Sequence, residues 1–192
     1  VVSPKRWYSR CYFSLWKLIY YVFQVRKHVN KFLPITIGAR QWLKDRLGLH
    51  DHEMTLSPLG VDMESMYYSD KEEALFRAKH SLNDKIIVVN AGKQYDGKRI
   101  DYVVGVVDLA IRKYGVDNLF LILVGDSSVE YKSYIDEKLA SIGGKYMRLP
   151  FLLRDELRSV YSASDIGIWP GVPSVTIQEA MACGVSLLVP DD

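Results

Sequence analysis

The chain of 192 residues is predicted to fold as an α/β protein with a doubly wound parallel sheet, preceded by a mostly helical segment over residues 1–60. Three observations carry this expectation. Continuous apolar runs, Ile86–Val89 and Leu119–Val124, have the pattern of strands buried on both faces. Segments with helical periodicity separate these runs and the shorter ones that follow, and such alternation argues for a parallel sheet. The charge is split unevenly: residues 1–50 hold ten of the 25 Lys and Arg but one of the 23 Asp and Glu. Two structural units with different surroundings are therefore expected, residues 1–60 and 61–192.

Residues 1–33 contain seven basic residues, no acids and nine aromatics. Between Cys11 and Val25 only Ser14, Lys17 and Gln24 are not apolar, and Leu15, Ile19 and Phe23 recur at helical spacing. The run is too short, and too interrupted by Lys17, for a membrane span of roughly 20 apolar residues. No small-residue cleavage site follows, so it does not read as a signal peptide. Two readings stand: a helix of a first domain, which is preferred, or a basic–aromatic helix lying on an anionic bilayer. A short strand at Ile35–Ile37, a turn at Gly38 and a helix from Arg40 to Leu47 ended by Gly48 are expected next.

A polar helix follows within residues 63–84, with Ser69 or Asp70 as N-cap. After the Ile86–Val89 strand comes a Gly92–Gly97 loop, then a helix carrying Ile100, Val103, Val104, Val107 and Ile111 on one face. Leu119–Val124 is a strand ending in Gly125-Asp126. A helix around Tyr131–Ile142, a strand at Tyr146–Leu149, a helix at Asp155–Ser162 and a strand at Ile166–Trp169 complete the alternation. Pro170, Gly171 and Pro173 then force a turn. A short helix begins near Ser174 or Thr176, both N-cap types, and Thr176 with Glu179 has capping-box spacing. Gly184 stops this helix, and Val185–Val189 is the fifth strand.

The composition, 48% hydrophobic and 25% charged, is that of an ordinary globular protein. The two cysteines, Cys11 and Cys183, are far apart and suit a reducing compartment, with Cys183 a small buried apolar residue. The four histidines form no ligand cluster, so no metal is expected. The acidic second half argues against binding a nucleic-acid backbone there. The chain begins at Val1 and ends just past a predicted strand, which reads as a fragment of a longer protein.

In an open parallel sheet ligands bind at the loops leaving the carboxyl ends of the strands. The loop after the first strand, Gly92-Lys93-Gln94-Tyr95-Asp96-Gly97-Lys98-Arg99, lacks GxGxxG. It also falls short of a P-loop, because Arg99 stands where Ser or Thr would bind Mg²⁺. The helix near Ser174–Thr176 presents free N–H groups at its N-terminus, a favourable place for an anion.

The stretch SVTIQEAMACG, residues 174–184, preceded by SASDIGIWP, resembles the signature of the family-four retaining glycosyltransferases. So do the Pro58, Gly60, Val61 and Asp62 turn and the Gly92, Lys93, Lys98 spacing; the likeness covers about residues 30–190. It implies a GT-B fold of two Rossmann-like domains, of which residues 61–192 would be the nucleotide-sugar-binding one. It also implies a metal-independent hexosyl transfer with retention from a nucleotide-diphosphate sugar, in polysaccharide or glycolipid synthesis on the cytoplasmic side. Carried over position by position, Lys93 and Lys98 would be catalytic, holding the diphosphate. Glu179 would bind the ribose, the backbone near Phe151 and Leu152 the base, and Ser174, Val175 and Thr176 the phosphate or sugar. Gly92 and Asp126 would line the donor. The family's second Glu, which touches the sugar, is replaced here by Gly171. No cofactor is implied beyond the donor. The acceptor, a saccharide or lipid, is unspecified, and residues 1–33 supply the candidate contact with a membrane. The alternatives are a degenerate nucleotide-binding domain without turnover, a P-loop phosphotransferase and a nucleotide-sugar epimerase. With so little of a second domain, the chain alone is expected to be inactive.

Overall fold

The computed structural model describes residues 25–191 together with Tyr12, Ser14, Leu15, Trp16 and Ile19. Those five isolated residues are helical, while the rest of the apolar stripe expected at 11–24, Cys11 included, lies outside the described residues. The chain divides into two compact units, residues 1–59 and 60–192.

In the first unit a helix, α1 (Ile37–Leu47), replaces the expected strand at Ile35–Ile37 and the turn at Gly38. The cause is local: the Thr36 hydroxyl accepts a hydrogen bond from the Ala39 amide at 3.0 Å, so Thr36 is an N-cap and Gly38 lies in the first turn. Gly48 ends the helix, as its position implies. Leu49 and Met54 form a small buried cluster with Phe32, Leu43 and Leu47 packed on it. Glu53 accepts from the Arg26 guanidinium and from the His50 amide.

The second unit is a five-stranded, all-parallel sheet with helices on both faces. Its strands are β1 (Ile86–Ala91), β2 (Leu119–Val124), β3 (Tyr146–Leu149), β4 (Ile166–Ile168) and β5 (Ser186–Leu188), in the order β3-β2-β1-β4-β5. The helices are α2 (Asp70–His80), α3 (Ile100–Tyr114), α4 (Val129–Leu139), α5 (Arg154–Ser162) and α6 (Val175–Ala182). Ser69 caps α2, its hydroxyl accepting from the Glu72 amide. Ser128 caps α4 in the same way, through the Tyr131 amide.

The strict alternation of strand side chains produces two cores. Ile87, Val89 and Ala91 of β1 face one, with Val160, Tyr161 and Ala180. Val88 faces the other, with Val103, Val107 and Ile135. Both faces of β2 are covered as well, which is why its sequence reads as an unbroken apolar run. Asp165, just before β4, is structural: its carboxylate accepts from the Ile87 amide at 2.7 Å and from Arg77.

Candidate functional site

The strand order reverses direction between β1 and β4, so the crevice outside their carboxyl ends is the topological switch point of the sheet. The loops that flank it are 92–99 and 169–174. Three strands also end in register, Ala91 beside Val124 and Val124 beside Leu149, so the loops after β1, β2 and β3 begin side by side.

Gly92 has φ 130° and donates its amide to Val124 O at 3.0 Å. Gly125, with φ 123°, is packed on it: a Cβ at Gly125 would lie 2.8 Å from the Gly92 carbonyl carbon, so only glycine fits. On its other side Gly92 faces α6, where an added Cβ would be 3.7 Å from the Thr176 hydroxyl and 3.8 Å from that of Ser174. The carbonyl of Ala91 accepts from both Thr176 Oγ1 (2.9 Å) and the Trp169 indole (3.0 Å). The end of β1 is thereby fixed against the start of α6.

Ser174 is the N-cap of α6, and no side chain among the described residues caps that helix. The capping box expected from Thr176 and Glu179 is not formed, because the Thr176 hydroxyl is taken by Ala91 O and the helix starts earlier, at Val175. Glu179 therefore sits in the second turn. It is half-buried, and its carboxylate makes no hydrogen bond among the described residues. Burial pushes the Glu179 carboxyl above its ordinary pKa, and the charge of Arg154 opposes part of that rise. Gly184 and Val185 close the helix with amide bonds to Met181 O (3.0 Å) and Ala180 O (3.1 Å).

The two lysines of the first loop differ. Lys93 is exposed and its ammonium has no partner among the described residues. Lys98 is partly buried, which lowers its pKa, and it donates to Val172 O (2.6 Å) and Pro173 O (3.3 Å). The Val172 amide returns a bond to Gly97 O at 2.8 Å, so this loop and the Pro/Gly turn are clasped together. Arg99, the residue that spoils the P-loop spacing, has φ 52°; its guanidinium lies 3.7 Å from the centre of the Tyr102 ring and pairs with Asp101.

Asp126 contributes its carbonyl, which accepts from the Gln94 amide at 2.9 Å, while its side chain is exposed. Phe151 and Leu152 stand on the loop after β3. The Phe151 side chain is 75% exposed, whereas Leu152 packs against the core. The fold thus brings Gly92 against Ser174 and Thr176, ties Lys98 to the turn just before Ser174, links Asp126 to the loop through Gln94, and sets Glu179 one turn further along α6.

Two residues of this region escaped the sequence reading. Gln94, 1% exposed, accepts at its side-chain oxygen from Arg148 Nη2 at 2.8 Å. Arg148 in turn donates to Asp136 at 2.5 Å. A charged residue inside the short strand Tyr146–Leu149 was the available signal. A notch of about 290 Å³ between α3 and α4, lined by Asp101, Asp108, Glu137 and Lys138 among others, contains none of the predicted site residues. Among the described residues no helix is long and apolar enough to cross a membrane.

No family model matches the chain, and no curated protein matches it. Solved structures do. Anabaena HepE in complex with UDP-glucose superposes with a TM-score of 0.70 at 14% identity, over 83% of this chain and 44% of that one. A glycosyltransferase from Rickettsia africae gives 0.71 at 16% identity, over 90% and 47%. The C-terminal domain of a glycosyl transferase group 1 family protein (LpcC) from Francisella tularensis gives 0.57 at 17% identity, over 68% and 70%. The chain spans less than half the length of the first two. Its fold is the Rossmann-like α/β fold of the GT-B glycosyltransferases.

Proposed function

We propose that the protein is a glycosyltransferase and that residues 60–192 hold its nucleotide-diphosphate sugar donor. The observation that carries this reading is the meeting of Gly92 with Ser174 and Thr176 at the switch point, where an uncapped helix N-terminus faces the Lys93 loop. Anabaena HepE, which shares the fold, was crystallised with UDP-glucose.

In this reading the diphosphate lies between Lys93, Lys98 and the first amides of α6. Breaking the bond between sugar and diphosphate leaves negative charge on the departing phosphate. Ammonium groups and a helix N-terminus hold the charge the diphosphate already carries and interact more strongly with the further charge that builds up as the bond breaks, so they favour the transition state over the bound donor. Glu179 accepts from the ribose hydroxyls, an ionised acceptor making the stronger bond. The backbone at Phe151 and Leu152 meets the base, and Gly92 and the Asp126 turn line the diphosphate. Transfer proceeds with retention and without a metal. Residues 1–59 belong to the acceptor side, the acceptor is a saccharide or lipid, and the basic, aromatic segment 1–33 is the candidate contact with the cytoplasmic face of a membrane.

The test is a calorimetric screen of UDP-, GDP-, ADP- and dTDP-sugars, with and without EDTA, followed by assay of transfer and of the product's anomeric configuration in a longer form of the protein. Binding of one donor class, insensitive to EDTA, with a retained configuration supports the reading. Donor binding without transfer favours a degenerate nucleotide-binding domain, and absence of any donor binding overturns the proposal.

A further inference from the structure

The segment that carries Lys93 is fastened to the sheet by its neighbours. On one side the Gly92 amide bonds Val124 O at 3.0 Å, and on the other the Gln94 amide bonds Asp126 O at 2.9 Å. Lys93 itself has no side-chain partner among the described residues. The side-chain anchor next to it is Gln94, buried beneath the loop and held by Arg148 of β3, which is itself held by Asp136 of α4.

This polar chain is a poor device for stability. Arginine only donates, so its bond fixes the Gln94 amide with the oxygen toward Arg148 and the nitrogen away from it. That nitrogen, Nε2, is buried and has no hydrogen-bond partner among the described residues. A buried donor left unpaired is costly, and so is a guanidinium taken largely out of water; its side chain is 17% exposed. An apolar pair of similar volume would fill the same space with no unmet bond. The arrangement gives direction instead. The planar guanidinium reaches Gln94 on the loop with one arm and, with the other, Asp136 and the Lys132 carbonyl (3.4 Å) on α4, and so sets where the loop sits on the sheet.

We propose that Gln94 and Arg148 are positioning residues for the nucleoside-diphosphate site, acting through Lys93 by fixing the backbone that follows it. The inference rests on the donor-site reading above. It implies that the pair is retained for ligand affinity rather than for folding.

The test is a binding cycle with UDP, GDP and ADP as probes on the full chain. The double variant Gln94→Met with Arg148→Met is expected to keep or raise the melting temperature and to weaken diphosphate binding about tenfold, the scale of coupling between neighbouring residues. In a Lys93→Ala background the same double change should cost no further affinity, because the residue it positions is gone. If the double variant does not fold, Arg148→Lys serves: it keeps the charge but cannot span both acceptors, and is expected to weaken binding with an unchanged melting temperature. A purely structural pair would instead lower the melting temperature and leave affinity unchanged, which overturns the proposal. So would an equal loss of affinity with and without Lys93. Binding by the unsubstituted chain that Lys93→Ala leaves unchanged would overturn the donor-site reading of Lys93, and this inference with it. Binding that depends on Lys93 but not on Gln94 and Arg148 would overturn the inference alone.

Discussion

Gly171 approaches Lys98 so closely that a Cβ on the glycine would lie 2.7 Å from the Lys98 Cα, well inside van der Waals contact. The two loops meet backbone to backbone, and the Lys98 ammonium closes the contact on Val172 O and Pro173 O. This turn conformation excludes any side chain at 171, including the carboxylate that the resembled family carries there. Gly171→Ala is expected to destabilise the fold by about 1–3 kcal/mol, the usual cost of forcing a methyl group into filled space. Denaturant unfolding of the variant measures this, and a change below about 0.5 kcal/mol would mean that the turn is free to move.

The two lysines should separate in their effects. Lys93→Ala is expected to weaken nucleoside-diphosphate binding by about 1.5–3 kcal/mol, the range for bonds to charged groups, at an unchanged melting temperature. Lys98→Ala should weaken binding over the same range and also lower the melting temperature, because the clasp to Val172 and Pro173 is lost. Identical melting behaviour of the two variants would contradict the clasp.

Glu179→Gln is expected to keep or slightly raise stability and to lower nucleotide affinity about tenfold. Burial raises the Glu179 pKa, so ionising it in the folded protein is a penalty that the amide escapes. The sign for the native protein follows: the contribution of this group is fully favourable below the ordinary carboxylate pKa and is lost as pH rises through the raised folded value. Thermal melts and titrations on the one variant test both halves, and a lower melting temperature with unchanged affinity would contradict the ribose-binding role.

Acid should loosen the first unit before the sheet. Glu53, held by the Arg26 guanidinium and then by the His50 amide, has its pKa lowered from 4.5 to about 2. A depressed carboxylate stabilises above its unfolded pKa, and that support is lost as pH falls from 4.5 towards 2. Hydrogen exchange at the Phe32 and Thr55 amides, which pair residues 32 and 53–55, should accelerate over this interval. Glu53→Gln should make it flat, and an unaltered profile in the variant would assign the transition to other groups.

The strand Leu119–Val124 was legible to the residue because burial on both faces imposes an apolar run, and the partly buried edge strand Tyr146–Leu149 because the Gly143-Gly144 turn marks where it can begin. Ile35-Thr36-Ile37 was misread for the opposite reason. Its β-branched composition favours a strand, yet one hydroxyl, Thr36 Oγ1, binds an amide three residues on and starts a helix. Thr176 shows the same ambiguity resolved at long range. Its spacing to Glu179 suggests a cap, but its hydroxyl finds Ala91 O, 85 residues away in sequence. The bonds of Lys98 to Val172 O and of Arg148 to Gln94 likewise join residues 74 and 54 apart, and local periodicity carries no record of such pairs. The sequence could nominate Lys93, Lys98 and Glu179 one by one; only the fold reveals that Lys98 is already engaged, and that Gln94 lies buried under the loop.

The most direct test of the donor-site account is a calorimetric titration of UDP into the unsubstituted chain and into the double variant Lys93→Ala with Glu179→Gln, repeated with GDP and ADP. The account predicts one binding site for at least one of these nucleotides, with the affinity of the double variant reduced at least about a hundredfold, since the two side chains serve different parts of the ligand and their losses should add. Absence of binding by all three nucleotides, or binding that the double substitution leaves unchanged, would contradict it.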